Sequence, residues 1–184
     1  MNTILSKEQT GIKGIVTVKR YRAGFINAAQ ELIKKNDIDG LKILEKQYFL
    51  GIALKQKNLV VSSSNRGRNI LCQWLAGVGT YAIGINYGEM GTGSTTPTNA
   101  DIALTTSIKR VAPTTYVISN NVLTLQFFFS DVVLPNNTYY EFGTYIAGAA
   151  GLGTGQLFNH ALFSSPYVKA SGEDTTIEVD FTIT

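Results

Sequence analysis

Apolar and polar positions change period twice along this chain. From Gly14 to Arg22, Ile15, Thr17, Lys19 and Tyr21 alternate with Val16, Val18 and Arg20, which predicts a first strand. From Phe25 to Lys35 the apolar residues fall at Phe25, Ala28, Ala29, Leu32 and Ile33, the spacing of an amphipathic helix. Asn36 to Gly40 reads as a turn. Leu41 to Lys57 fits two patterns: Leu41, Leu44 and Tyr48 suit a helix, whereas Tyr48 to Leu54 suits a strand interrupted at Gly51. The reading adopted is helix to about Lys46 and strand after it. Asn58 to Val61 makes a short strand, and Ile70, Leu71, Trp74 and Leu75 line a helix stopped by Gly77.

Beyond Gly77 the period becomes that of strands. Tyr81, Ile83, Ile85 and Tyr87 alternate with smaller residues. Thr114–Ser119 and Val122–Phe129 predict a hairpin about Asn120-Asn121. Leu123, Leu125, Phe127 and Phe129 share one side of its second strand. Tyr139–Ile146, Gln156–Phe163 and Thr175–Ile183 complete the set, the last with Ile177, Val179, Phe181 and Ile183 inward. Short strands joined by Gly, Pro and Asn turns predict a mainly β fold, an antiparallel β-sandwich of jelly-roll-like type with an N-terminal strand-helix extension. Residues 1–57 form the extension, with a loose arm at 1–10, and residues 58–184 the sandwich.

Composition narrows the class. A hydrophobic share of 44% provides for a core, and a charged share of 16% is low. No apolar run is long enough for a transmembrane helix, and the polar start Met-Asn-Thr-Ile-Leu-Ser-Lys-Glu-Gln does not suit a signal peptide. The single Cys72 fits a reducing cytoplasm, as an inert thiol on a buried helix beside Trp74. Net charge is +3, but residues 1–70 carry +8 and residues 71–184 carry −5. That asymmetry suits either head-to-tail association, an acidic partner or simply a solvated basic face. The basic residues are scattered without a nucleic-acid fold signature, so nucleic acid is not an expected partner.

Signals for chemistry are sparse, and no cofactor or metal is expected. Gly88-Glu-Met-Gly91-Thr-Gly93 lacks the Lys of a phosphate loop and reads as a tight turn between strands. Gly148 to Gly155 precedes a strand rather than a helix, unlike a dinucleotide fingerprint, and reads as a flexible exposed tip. His160, the single histidine, has neither the cysteines nor the helical partner of a zinc site, and nothing local marks a nucleophile for it. Glu173-Asp174, the one adjacent acid pair, reads as a solvated turn.

An ordered set of motifs adds to this reading. Asn58-Leu-Val60, Gly67-Arg68 and the following apolar helix precede Gly91-Thr-Gly-Ser-Thr-Thr-Pro97-Thr98; then come Leu104, Lys109-Arg110 and Glu141-Phe-Gly143. In this order they resemble a group of small tailed-bacteriophage virion proteins with a GTG-x-T-x-P-T turn, a following Leu and Arg, and an E-x-G strand. The likeness covers residues 58–184, and more loosely the Arg22-Ala-Gly24 turn. It implies a non-enzymatic virion subunit of tail, baseplate, head-fibre or capsid-decorating type, made in the host bacterial cytoplasm. Its expected partners are its own copies, trimers being frequent in phage appendages, and other virion proteins.

Two site expectations follow. Arg110 and Glu141 lie on elements that recur in the group and are expected to pair across neighbouring strands, fixing the register. The alternative implied function is a receptor- or glycan-binding tip. Tyr116, Tyr139, Tyr140, Tyr145 and Tyr167 would stack on sugar rings if exposed, although tyrosines at alternating strand positions also serve as packing.

Overall fold

The computed structural model describes residues 11–82 and 84–184. The loose arm at 1–10 and the place of Ile83 in the strand alternation lie outside the described residues. Among the described residues, nine strands form one antiparallel sheet, accompanied by three short helices. The chain runs β1 (Ile12–Arg22), α1 (Phe25–Lys34), α2 (Ile38–Tyr48), β2 (Phe49–Val60), α3 (Gly67–Leu75), β3 (Ile85–Gly91), β4 (Ser107–Val111), β5 (Thr115–Ser119), β6 (Val122–Phe129), β7 (Thr138–Ile146), β8 (Gln156–Val168) and β9 (Glu173–Ile183). Strand order is β4-β3-β7-β8-β2-β1-β9-β6-β5.

The first strand sits deep in this order. β1 pairs with β9 in unbroken register from Ile12↔Ile183 to Arg22↔Glu173, and with β2 on its other side. β2 then joins the two halves of the sheet: Phe49–Asn58 pairs with β1, and Leu59 and Val60 pair with β8. The boundary expected between residues 57 and 58 therefore falls inside one strand. Val16 and Val18 of β1 are fully buried in the main core with Phe127, Phe129, Phe142 and Ile177. Phe127 and Phe142 belong to β6 and β7, well separated in the strand order, yet their rings lie 5.6 Å apart. Gly88 of β3 also faces Phe127: a Cβ there would come within 2.6 Å of its ring. Gly88 to Gly91 is thus strand, not the expected turn; the glycine makes room for the core aromatic.

The ambiguous stretch resolves as helix to Tyr48 and strand from Phe49. α2 begins earlier than the pattern suggests because Asp37 caps it, accepting a hydrogen bond from the Gly40 amide at 2.8 Å. α1 has no side-chain cap of its own at Gly24. Instead the buried Asp174 of β9 accepts from the Ile26 amide at 2.9 Å and from the Asp131 amide at 2.8 Å. Glu173 holds Arg20 through Nε at 2.9 Å. The acid pair is buried, which corrects its reading as a solvated turn. α1 packs through Phe25, Ile26 and Ala29 onto Tyr21 and Phe128, with the Tyr21 and Phe25 rings stacked at 3.9 Å, and α2 adds the partly buried Leu41, Leu44 and Tyr48.

α3 differs from the expectation of a buried helix. Gly67 and Ile70 are its buried residues, Trp74 is half exposed, and Cys72 is exposed. Its apolar spacing marks a surface helix that inserts Ile70 into the core, with Leu71 partly buried against it. Among the described residues, no helix is long and apolar enough to cross a membrane.

Candidate functional site

The conspicuous chemistry lies where β3, β4, β7 and β8 meet the loops at 92–106 and 147–155. Glu141, on β7, stands opposite Gly91 of β3 and Leu162 of β8. Its side chain is fully buried. Oε1 accepts hydrogen bonds from the amides of Gly93 (2.9 Å) and Thr106 (2.8 Å), and Oε2 from the Thr105 amide (3.0 Å) and His160 Nε2 (2.9 Å). A Cβ on Gly91 or Gly93 would come within 2.5 Å of Oε1. Gly91, the last residue of β3, and Gly93 just beyond it leave space for this carboxylate.

His160, on β8, is clasped from both sides. Nδ1 lies 2.7 Å from Asp101 Oδ2, opposite the Glu141 contact. Asp101 in turn accepts from the Thr98 amide at 3.0 Å and hydroxyl at 2.6 Å. With a carboxylate at each ring nitrogen, both nitrogens donate only in the imidazolium form. Burial pushes the His160 pKa down, but hydrogen bonds to Glu141 and Asp101 outweigh it and hold the value above normal. For Glu141 burial pushes up, yet the bonds from His160, Thr106 and Thr105 hold the carboxyl below its ordinary range. Asp101 behaves likewise, held down against burial by Thr98 and His160.

A second ionic pair adjoins the first. Arg110 of β4 lies in register with Glu89 of β3, and Arg110 Nε meets Glu89 Oε2 at 2.5 Å, both side chains buried. Glu89 also accepts from the hydroxyls of Ser107 and Tyr145, the latter at 3.1 Å. Tyr145 accepts from the Leu104 amide at 3.1 Å, and burial with Glu89 beside it pushes its phenol pKa up. Arg110 Nη1 donates to the carbonyls of Ala149, Gly151 and Thr154 and to the Thr154 hydroxyl, at 2.8–3.1 Å. The guanidinium carbon lies 4.6 Å from the Tyr145 ring centroid and 5.3 Å from that of Tyr87. The 148–155 loop is exposed at its tip, but its carbonyls are gathered on this one cation.

The expected Arg110–Glu141 pair does not form. Both are buried, but β3 lies between β4 and β7 and supplies Glu89 directly opposite Arg110. Glu141 is left for His160. Pattern reading missed Glu89 and Asp101, and it missed the joint role of His160. Only the strand order brings Asp101 and Glu141 to either side of the imidazole. Because they face opposite ring nitrogens, the two carboxylates do not converge on one ion, and among the described residues no acidic or His/Cys group forms a metal cluster.

The tyrosines do not make an exposed platform. Tyr139, Tyr145 and Tyr167 are buried, Tyr140 is half-buried, and Tyr116 alone of the five is well exposed. Tyr139 and Tyr167 stack with ring centroids 6.3 Å apart, and their hydroxyls bond the Pro135 carbonyl and the Thr175 hydroxyl. β7 is covered on both faces, Tyr139 packing in the main core and Tyr145 in a separate cluster with Val61 and Leu157, so three of the five expected glycan-facing tyrosines are interior.

The charge asymmetry is partly settled within the molecule. Lys19 of β1 meets Glu178 of β9 at 2.6 Å, and Arg20 meets Glu173, so basic residues of the front pair with acidic ones of the back. No protein-family model, curated protein or solved structure matches the chain.

Proposed function

We propose that this chain is a non-enzymatic structural subunit of a tailed-bacteriophage virion, acting by assembly with its own copies and with other virion proteins. It would be made in the host bacterial cytoplasm and end in the particle. The observation that carries this reading is the convergence of the motif residues on one buried cluster. Gly91, Gly93, Thr98, Leu104, Arg110, and Glu141 with Gly143 are spread along the sequence, yet all contact that cluster or its immediate packing. There the charged groups bind backbone amides, carbonyls and one another, which suits a rigid building block.

The same proposal takes the sheet as a jelly-roll-like sandwich, supported by the contact of Phe127 with Phe142 across the core. A glycan-binding tip is the weaker reading, since three of its five tyrosines are inside. Immunogold electron microscopy of purified particles tests the proposal. Label at a fixed place on the virion is expected, and particles that never label would contradict it.

A further inference from the structure

Among the described residues, the two end strands of the sheet and the free part of β2 present edges without a neighbour, and these are not alike. β4 ends one side, β5 ends the other, and β2 is open over Phe49–Asn58, where its pairing with β8 has not begun. Proteins guard such edges with lysines, bulges and irregular twist, because unpaired amides and carbonyls template association. β2 carries exposed Lys55 and Lys57 and two register shifts against β1. β4 carries exposed Lys109 and a register shift against β3.

β5 has none of these guards. Its pairing with β6 runs without a shift from Thr115↔Gln126 to Ser119↔Val122. No charged residue lies between Arg110 and Asp131. Its central residues are all large, apolar and exposed: Tyr116 at 71%, Val117 at 59% and Ile118 at 69%.

We infer that the β5 edge is a docking surface for β5 of a second copy, paired antiparallel about a twofold axis at Val117. This rests on the assembly reading above and names its contact. A second copy fits for three reasons. The strand is neutral, so two copies approach without like-charge repulsion, whereas a charged partner segment would find no countercharge. Antiparallel self-pairing about Val117 puts Tyr116 of one copy opposite Ile118 of the other, so the exposed apolar residues cover each other. Tyr116 and Ile118 also register with Leu125 and Leu123, and Ile118 lines an apolar cavity of about 330 Å3 with Leu123, Phe158 and Phe181. Pairing thus continues an apolar face that begins inside the chain. Strands this short bury less than the roughly 1,200 Å2 of a standard interface, so the dimer is expected to depend on concentration.

The test is solution mass by size-exclusion chromatography with light scattering on the full chain, from micromolar to millimolar concentration, beside Val117→Lys and Ile52→Lys. The native chain should rise from one to two chains. Val117→Lys, which places two ammonium groups at the axis, should stay at one, and Ile52→Lys on the guarded β2 edge should behave as native. Hydrogen exchange of the native chain should slow within 115–119 as concentration rises, a readout independent of whether the variant folds. A native chain that stays single, or that forms trimers, overturns the inference. So does an assembly that Val117→Lys leaves intact, although that result would leave assembly itself standing.

Discussion

The Glu141 carboxylate occupies the space that a side chain on Gly91 would need: a Cβ built there lies 2.5 Å from Oε1. The two residues face each other across β3 and β7, so the glycine is required by its neighbour's acid and not by a turn. Gly91→Ala should therefore cost about 1–3 kcal/mol through overpacking. Urea unfolding of the variant checks this; a loss below about 0.5 kcal/mol would mean that the carboxylate moves aside freely.

Glu141→Ala should be among the most destabilising single changes in the chain. It leaves the His160 ring buried with one carboxylate and frees three backbone amides. Removing one member of a buried ion pair typically costs about 3–5 kcal/mol. Chemical denaturation of Glu141→Ala and His160→Gln measures the effect.

The same cluster should set a pH optimum. His160 titrates above its ordinary value in the folded chain, so its contribution is complete below about pH 6.5 and is lost as pH rises through the raised folded value. Glu141 and Asp101 titrate below theirs, so their contribution is present above about pH 4 and is lost as pH falls through the depressed folded values. The difference in melting temperature between native chain and His160→Gln should peak between these limits and shrink toward alkaline pH. A difference that is flat from acid to alkaline pH would exclude an imidazolium at this position.

A double-mutant cycle separates the two ionic groups. Arg110→Ala with Glu89→Ala should show a coupling of about 0.5–3 kcal/mol, as contacting residues do. Arg110→Ala with Glu141→Ala should show the smaller coupling of residues without a direct contact. Equal couplings would mean that the two groups act as one network.

Asp174→Ala should loosen α1, because Gly24 offers no side chain to cap it. A loss of about 0.5–2 kcal/mol is expected for the cap alone, with faster amide exchange in residues 25–29. Exchange unchanged in that turn would exclude Asp174 as its cap.

The strands were legible wherever one face is dry and the other wet. Leu125, Phe127 and Phe129 against Thr124 and Gln126 mark β6, and Ile177, Val179 and Phe181 against Glu178 and Asp180 mark β9, whereas Ile183, expected inward, is exposed at the strand's end. Asn120, at φ 52°, turns the hairpin as its residue type suggests. The burial of charge was not legible. Glu89, Glu141, His160 and Asp174 occupy interior positions because partners arrive from distant strands, loops and a helix, and that assembly is not written in local period. Likewise Arg110 and Glu141 stand out in the sequence as charges on strand patterns, but the strand inserted between them decides their partners.

Copy number in purified virions tests the central claim most directly, by quantitative mass spectrometry against the major capsid protein. A structural subunit predicts a fixed, whole-number ratio per particle that survives repeated purification. A chain abundant in the infected cell but lost from washed particles would contradict a virion role.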